Sequence, residues 1–220
     1  MKRGLDELRQ EVEQALAFEQ PALAVSIADN QVVVVGDYFL NSEKQAPDPD
    51  GPIAKFAVRV AFDASFPNTE PSVRETGGVV PQGRHLNPDG SCCIGVWEQW
   101  LVSTEEKSVS AFFAGPFRDY FLSQTHYQIH GKWPFGELAH GYDGIVQAYA
   151  QVLGIEPDSK KVTAHLRLLA QPGWPRGHWP CPCGTGQIVR RCHREELAVL
   201  RGKISTAMAA RMFNRLESSP

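Results

Sequence analysis

Phe56-Ala57-Val58-Arg59-Val60-Ala61-Phe62, followed by Phe66-Pro67-Asn68-Thr69-Glu70-Pro71-Ser72-Val73, alternates large apolar residues with small or charged ones and then turns at two prolines. A period of two places one set of side chains on a core face, so residues 56–62 form a strand. Upstream, Ala24-Val25-Ser26-Ile27 and Gln31-Val32-Val33-Val34-Val35-Gly36 are rich in β-branched residues and are separated by Asp29-Asn30, a hairpin signal. The strands succeed one another as an antiparallel meander. Before them, Leu5, Leu8, Val12, Ala15 and Leu16 recur at helical spacing, so residues 5–18 form an amphipathic helix that ends at Gln20-Pro21. Residues 41–52 form a polar loop bearing Pro and Asp.

Downstream lies His85-Leu86-Asn87-Pro88-Asp89-Gly90-Ser91-Cys92-Cys93-Ile94. A thiolate is the attacking form of cysteine, and a nearby amide can donate to the oxyanion that develops on an attacked carbonyl. Adjacent cysteines in extended chain face opposite sides, so one is presented and the other turns inward. The stretch can therefore carry an acyl group.

Taken together, these segments resemble the core of a ubiquitin-conjugating enzyme. In that family a strand ending in Tyr/Phe-Pro-x-x-x-Pro-x-Val precedes a His-Pro-Asn loop and the thioester-forming Cys. The resemblance implies Cys93 as the nucleophile, with Cys92 in the apolar slot before it, Asn87 as the oxyanion-stabilising amide and His85 as the organiser of the loop. The chain departs from the family at Leu86, where Pro is usual, in its shorter loop from Asn87 to Cys93, and at Trp100, which no Pro follows. The later Trp133-Pro134-Phe135-Gly136-Glu137 and His140-Gly141 segments are similar to bacterial conjugating-enzyme-like proteins of antiphage (CBASS-type) defence operons. That likeness implies a protein substrate carried by its C-terminus, with the operon's own CD-NTase-type nucleotide cyclase as the candidate, and a protein lysine as acceptor. No Gly-rich nucleotide site marks an activating domain, so either activation falls to another chain or the acyl donor is something other than an adenylate.

Other readings of the same residues stay open. Cys92 and Cys93 can be structural cysteines of a non-catalytic adaptor with the same fold. A Cys-His protease would draw its base from His126, His130 or His140, although no protease signature surrounds Cys93. A thiol-redox role for Cys92-Cys93 is opposed by the strain of a vicinal disulfide.

Towards the C-terminus stands Pro180-Cys181-Pro182-Cys183-Gly184-Thr185-Gly186-Gln187-Ile188-Val189-Arg190-Arg191-Cys192-His193. Cys181, Cys183, Cys192 and His193 supply three thiolates and one imidazole, a closed tetrahedral set that suits structural zinc. Arg190 and Arg191 offset its negative charge. The stretch is similar to the SEC-C motif, which implies an interaction module at a chain end. Leu197, Leu200, Ile204, Met208, Met212 and Phe213 continue at helical spacing beyond it.

Between the two motifs, Ser103-Thr104-Glu105-Glu106 reads as a helix N-cap, with Gly115-Pro116 kinking the helix it opens. Residues 145–153 and 160–169 form further helices. Composition shifts at Gln171-Pro172-Gly173-Trp174-Pro175, which sets an expected boundary between a conjugating-enzyme-like domain over residues 1–170 and a zinc-bearing module over 171–220.

The chain has 220 residues, 22 basic and 25 acidic, for a net charge of −3. That balance gives no general attraction to phosphate backbones, so nucleic acid is not an expected partner. No apolar run approaches the ~18 residues of a membrane span, and the N-terminal sequence enters a charged helix instead of a signal-peptide core. Five cysteines in two tight groups suit reduced thiols and metal ligation. The expectation is a cytoplasmic α+β protein with a four-stranded antiparallel meander, flanking helices and a small zinc module.

Overall fold

The computed structural model describes residues 4–41, 53–81, 85–134, 138–173 and 176–218. Most of the expected 41–52 loop, residues 135–137 and Trp174-Pro175 therefore lie outside the described residues. The fold is α+β with one four-stranded antiparallel sheet and flanking helices. The chain forms two compact units, Met1–Trp97 with Glu106–Gly136, and Glu98–Glu105 with Glu137–Pro220. These units change over elsewhere than at the composition shift near residue 171.

In the first unit, α1 (Leu5–Leu16) buries Leu8, Val12 and Leu16. Strands β1 (Leu23–Ala28), β2 (Gln31–Leu40), β3 (Ala54–Phe62) and β4 (Ser72–Glu75) follow in spatial order β1-β2-β3-β4. Asp29 and Asn30 take φ of 50° and 59°, the left-handed pair that a tight two-residue hairpin demands and that these residue types tolerate. The register pairs Val32 with Phe62, Val34 with Val60 and Tyr38 with Phe56, so alternate residues of both strands fall on one buried face. On the other face Lys55 and Asp37 form an ion pair at 3.2 Å.

Aromatic rings cover the buried face. The segment after residue 106 runs as α3 (Val109–Phe112), a π turn over Phe113–Phe117 and α4 (Arg118–His130). Phe121 lies 4.7 Å from Phe56, Phe117 lies 4.8 Å from Tyr38, and Phe112 lies 5.4 Å from Phe62, in the tilted and edge-on arrangements aromatic quadrupoles favour. The kink expected at Gly115-Pro116 is present, with Gly115 at φ −104° and ψ −111° and Pro116 lacking an N–H to continue the ladder. The expected cap is displaced. Ser103 ends α2 (Trp97–Ser103), and the residue that caps α3 is Ser108, whose hydroxyl accepts from the Ala111 N–H at 3.2 Å.

The second unit holds α5 (Gly141–Leu153), α6 (Ser159–Leu169), α7 (Arg194–Lys203) and α8 (Thr206–Ser218), with α6 packed on α5 and α8. Asp158 caps α6, accepting from the Lys161 N–H at 3.0 Å. The apolar stripe of residues 197–213 is broken into two helices at Ile204-Ser205. Ile204 is extended, and the Ser205 hydroxyl accepts from the Met208 N–H at 3.1 Å to begin α8. Arg201 donates to the carbonyls of Leu169, Gln171 (3.0 Å) and Gly173 (2.8 Å), tying α7 to the end of α6.

A buried carboxylate anchors α8. Glu98, whose side chain is 3 % exposed, accepts from Arg211 at 2.8 Å, from Arg215, and from the Tyr149 hydroxyl at 3.2 Å. Burial alone would raise its carboxyl, but the two guanidiniums, Arg215 foremost, outweigh burial and hold it below its ordinary value.

Candidate functional site

The cysteine pair is docked on the sheet of the first unit. The Cys92 N–H donates to the Val73 carbonyl at 2.7 Å, beside β4. From there the chain forms a miniature hairpin in which Leu86 bridges Cys92, the Asn87 N–H donates to the Ser91 carbonyl (2.8 Å) and the Cys93 N–H donates to the His85 carbonyl (2.8 Å). Its tip is a turn closed by the Gly90 N–H on the Asn87 carbonyl at 2.8 Å, with Pro88 in the position its fixed φ suits. Gly90 sits at φ 80°, a conformation other residues adopt only with strain.

Pleating sets the faces. Asn87, Ser91 and Cys93 share one side of this hairpin and Cys92 turns to the other. Cys92 is 3 % exposed, whereas Cys93 is half-buried, and all five cysteines are free. Burial raises the Cys92 thiol, against a smaller downward pull from the Tyr120 hydroxyl that lies against it.

A polar relay stiffens the tip. The Asn87 amide donates to the Ser91 hydroxyl at 2.9 Å, which donates to Asp89 at 2.7 Å. Arg74, from β4, holds Asp89 through its backbone carbonyl (2.5 Å) and its carboxylate (3.2 Å). The hydroxyl and N–H of Ser91, with Arg74, keep the Asp89 carboxyl below the usual range. His85 stands at φ 52°, and its ring meets Trp133 edge-on at 4.4 Å.

The histidines considered as bases are placed otherwise. His126 donates from Nδ1 to the Lys132 carbonyl at 2.8 Å, and its ring lies 4.5 Å from that of His130, tilted by 48°. His140 is exposed at the N-cap of α5.

The second unit carries the Cys/His cluster. The ligand atoms of Cys181, Cys183, Cys192 and His193 all lie within 4.8 Å of one another. Sγ of Cys181 is 3.4 Å from His193 Nδ1, Cys183 and Cys192 sulfurs are 3.5 Å apart, and Cys192 Sγ is 3.1 Å from Nδ1. A tetrahedral ion with these donors has edges of about 3.5–3.8 Å, so the set fits a metal ion after a small adjustment. The backbone explains the convergence. Pro180 bridges Ile188, the Cys181 N–H donates to Gln187 (2.8 Å) and the Val189 N–H to Trp179 (2.9 Å), while Gly184 and Gly186, both at positive φ, turn the knuckle between. His193 then opens α7, whose Leu197 packs with Leu168 and Val189 in a small core.

Thiols of the cluster differ before any metal binds. Burial pushes Cys181 up to about 11. At Cys183 the upward push of burial is outweighed by the Thr185 hydroxyl and N–H and by neighbouring thiols, which bring it down to about 6.

Sequence reasoning placed the cysteines, Asn87 and His85 in one loop but missed Arg74, Ser91, Tyr120 and Trp133. Ser91 and Trp133 stand in stretches that sequence reasoning quoted without giving either a role, whereas Arg74 and Tyr120 belong to no motif, and only folding brings Arg74 and Trp133 to the loop. Among the described residues, no helix is long and apolar enough to cross a membrane. In comparisons with known proteins, no family model, curated protein or solved structure matches the chain.

Proposed function

We propose that the chain is a ubiquitin-conjugating-like acyl carrier of a bacterial antiphage defence system, acting in the cytoplasm. The observation that supports this reading best is the split of the cysteine pair. Cys92 is buried beside β4, and Cys93 is half-buried on the same face of the hairpin as the Asn87 amide.

In the proposed reaction the Cys93 thiolate attacks the C-terminal carbonyl of a carried protein that another chain has activated as an adenylate. A C–S bond forms, and the adenylate's C–O bond breaks to release AMP. A lysine amine then attacks the thioester to form a C–N bond, the oxyanion draws a hydrogen bond from Asn87, and the C–S bond breaks, the proton lost by the amine passing to the departing thiolate. His85 orders the loop through its backbone. The carried protein is the operon's nucleotide cyclase in this reading. Zinc, held by Cys181, Cys183, Cys192 and His193 with no open position, stabilises the C-terminal module and takes no part in acyl transfer.

The test is co-expression with the partner genes of the same operon and intact-mass analysis without reducing agent. A mass increase equal to the carried protein minus one water, located on Cys93 and removed by hydroxylamine, is expected. Absence of any such adduct, with partner and activating enzyme present, overturns the reading. One observation favours a second reading, that of a non-catalytic adaptor. The Asn87 amide already donates to Ser91, which a purely structural asparagine would also do.

A further inference from the structure

We infer that Trp133 is a positioning residue that sets the reactivity of Cys93 through His85. The inference rests on the reading of Cys93 as the loaded thiol. The observations form one chain of contacts within the first unit. Helix α4 ends at Gly131, which is left-handed at φ 66° and donates to the Tyr127 carbonyl at 2.8 Å. The next residue, Lys132, is pinned by its carbonyl to His126 at 2.8 Å. The chain is thereby turned back so that the indole of Trp133 rests on the Tyr127 ring at 4.5 Å, tilted by 33°. The same indole meets the His85 ring at 4.4 Å and 86°.

His85 is the residue whose carbonyl holds the Cys93 N–H, and it does so from a positive φ that few non-glycine residues adopt. A backbone in that region persists only where its surroundings over-determine it. The hairpin's hydrogen bond holds the His85 backbone, and the Trp133 contact holds its ring. Ring and backbone of His85 thus convert the position of α4 into the position of the Cys93 sulfur. Arg74 and Asp89 brace the tip of the same hairpin and the Cys92 N–H ties its middle to Val73, so the Trp133 contact bears on the His85 end.

The experiment compares the full chain with Trp133→Ala and Trp133→Phe, reading the rate of iodoacetamide alkylation of Cys93 by peptide mass spectrometry beside the rate of adduct formation. In Trp133→Ala, alkylation of Cys93 should rise by about threefold or more as the loop loosens, with Cys92 still protected. Adduct formation should fall by roughly 10- to 100-fold, the scale of cost for a misplaced reacting group. Trp133→Phe keeps a ring against His85 and should restore both rates. Alkylation within about twofold of the unsubstituted chain in a folded Trp133→Ala overturns the inference. Should that variant not fold, the same two rates in Tyr127→Leu, which removes the support behind the indole, decide in its place. A changed alkylation rate in a chain that forms no adduct refutes the proposed function and leaves the positioning role standing.

Discussion

The N–H of Cys92 donates to the Val73 carbonyl at 2.7 Å, so the vicinal cysteines ride on the end of β4 and are not carried by a free loop. Their opposite facing follows from that attachment, because extended chain held in a ladder cannot rotate one side chain without the other.

Cys93→Ala should therefore abolish the proposed reducing-agent-sensitive adduct, and Cys92→Ala should retain most of it at a stability cost on the order of 1 kcal/mol for the small buried void. Mass spectrometry locates the acyl group. Its recovery on Cys92 would reverse the assignment.

Asn87→Ala should leave loading largely intact and slow discharge to an amine by about 10²–10³-fold, the usual effect of removing one oxyanion donor. Ser91→Ala adds a discriminating arm, since it frees the amide from its ground-state partner. Single-turnover discharge that is unchanged in Asn87→Ala assigns the amide to loop structure alone.

The C-terminal module should bind one zinc ion per chain. Cys181→Ser combined with Cys183→Ser should lose it and unfold the knuckle, because binding energy at such a site is also folding energy. Loading of Cys93 should survive. Elemental analysis and a chelator-dependent melt check this, and affinity should weaken as pH falls, since the ligand thiols must be deprotonated. Stoichiometric zinc in the double variant would refute the ligand set.

Glu98 gives a pH-dependent prediction. Its carboxyl is held below the ordinary value in the folded chain, so its contribution is complete above the unfolded carboxyl pKa of about 4.3 and is lost as pH falls through the lower folded value. Glu98→Gln should flatten that acid limb in equilibrium unfolding. Glu98→Ala should cost ~2–3 kcal/mol at neutral pH, below the full penalty of a broken buried pair because both arginines are about a third exposed. An unchanged acid limb in Glu98→Gln would show that the carboxylate is not stabilised by folding.

The meander was legible because its signals are local. Alternation across residues 56–62 and the Asp29-Asn30 turn each act within a few residues, and the sheet follows them. The Cys/His cluster was legible for the same reason, its ligands lying within thirteen positions that fold on themselves. Where sequence reasoning slipped, two local patterns competed. Ser103-Thr104 precedes acids just as a cap does, yet the geometry of a cap is met at Ser108, and the apolar spacing of residues 197–213 runs unbroken across Ile204 although the backbone does not. The Glu98 anchor had no sequence signal, since its arginine partners stand 113 and 117 residues away.

Arg201 has a consequence for anyone wishing to divide the molecule. Its guanidinium stitches three alternate carbonyls, those of Leu169, Gln171 and Gly173, to α7, while Arg167 of α6 lies over the Phe213 ring of α8 at 5.3 Å. Cutting after residue 170 would not release a finished domain and a finished tail. It would strip α8 from α6, whose Val162, Leu166 and Leu169 are fully buried, and bare apolar side chains each worth about 1.5–3 kcal/mol on burial. The stub would be sticky and the fragment lidless, so aggregation of either piece would report the severed seam and say nothing about catalysis.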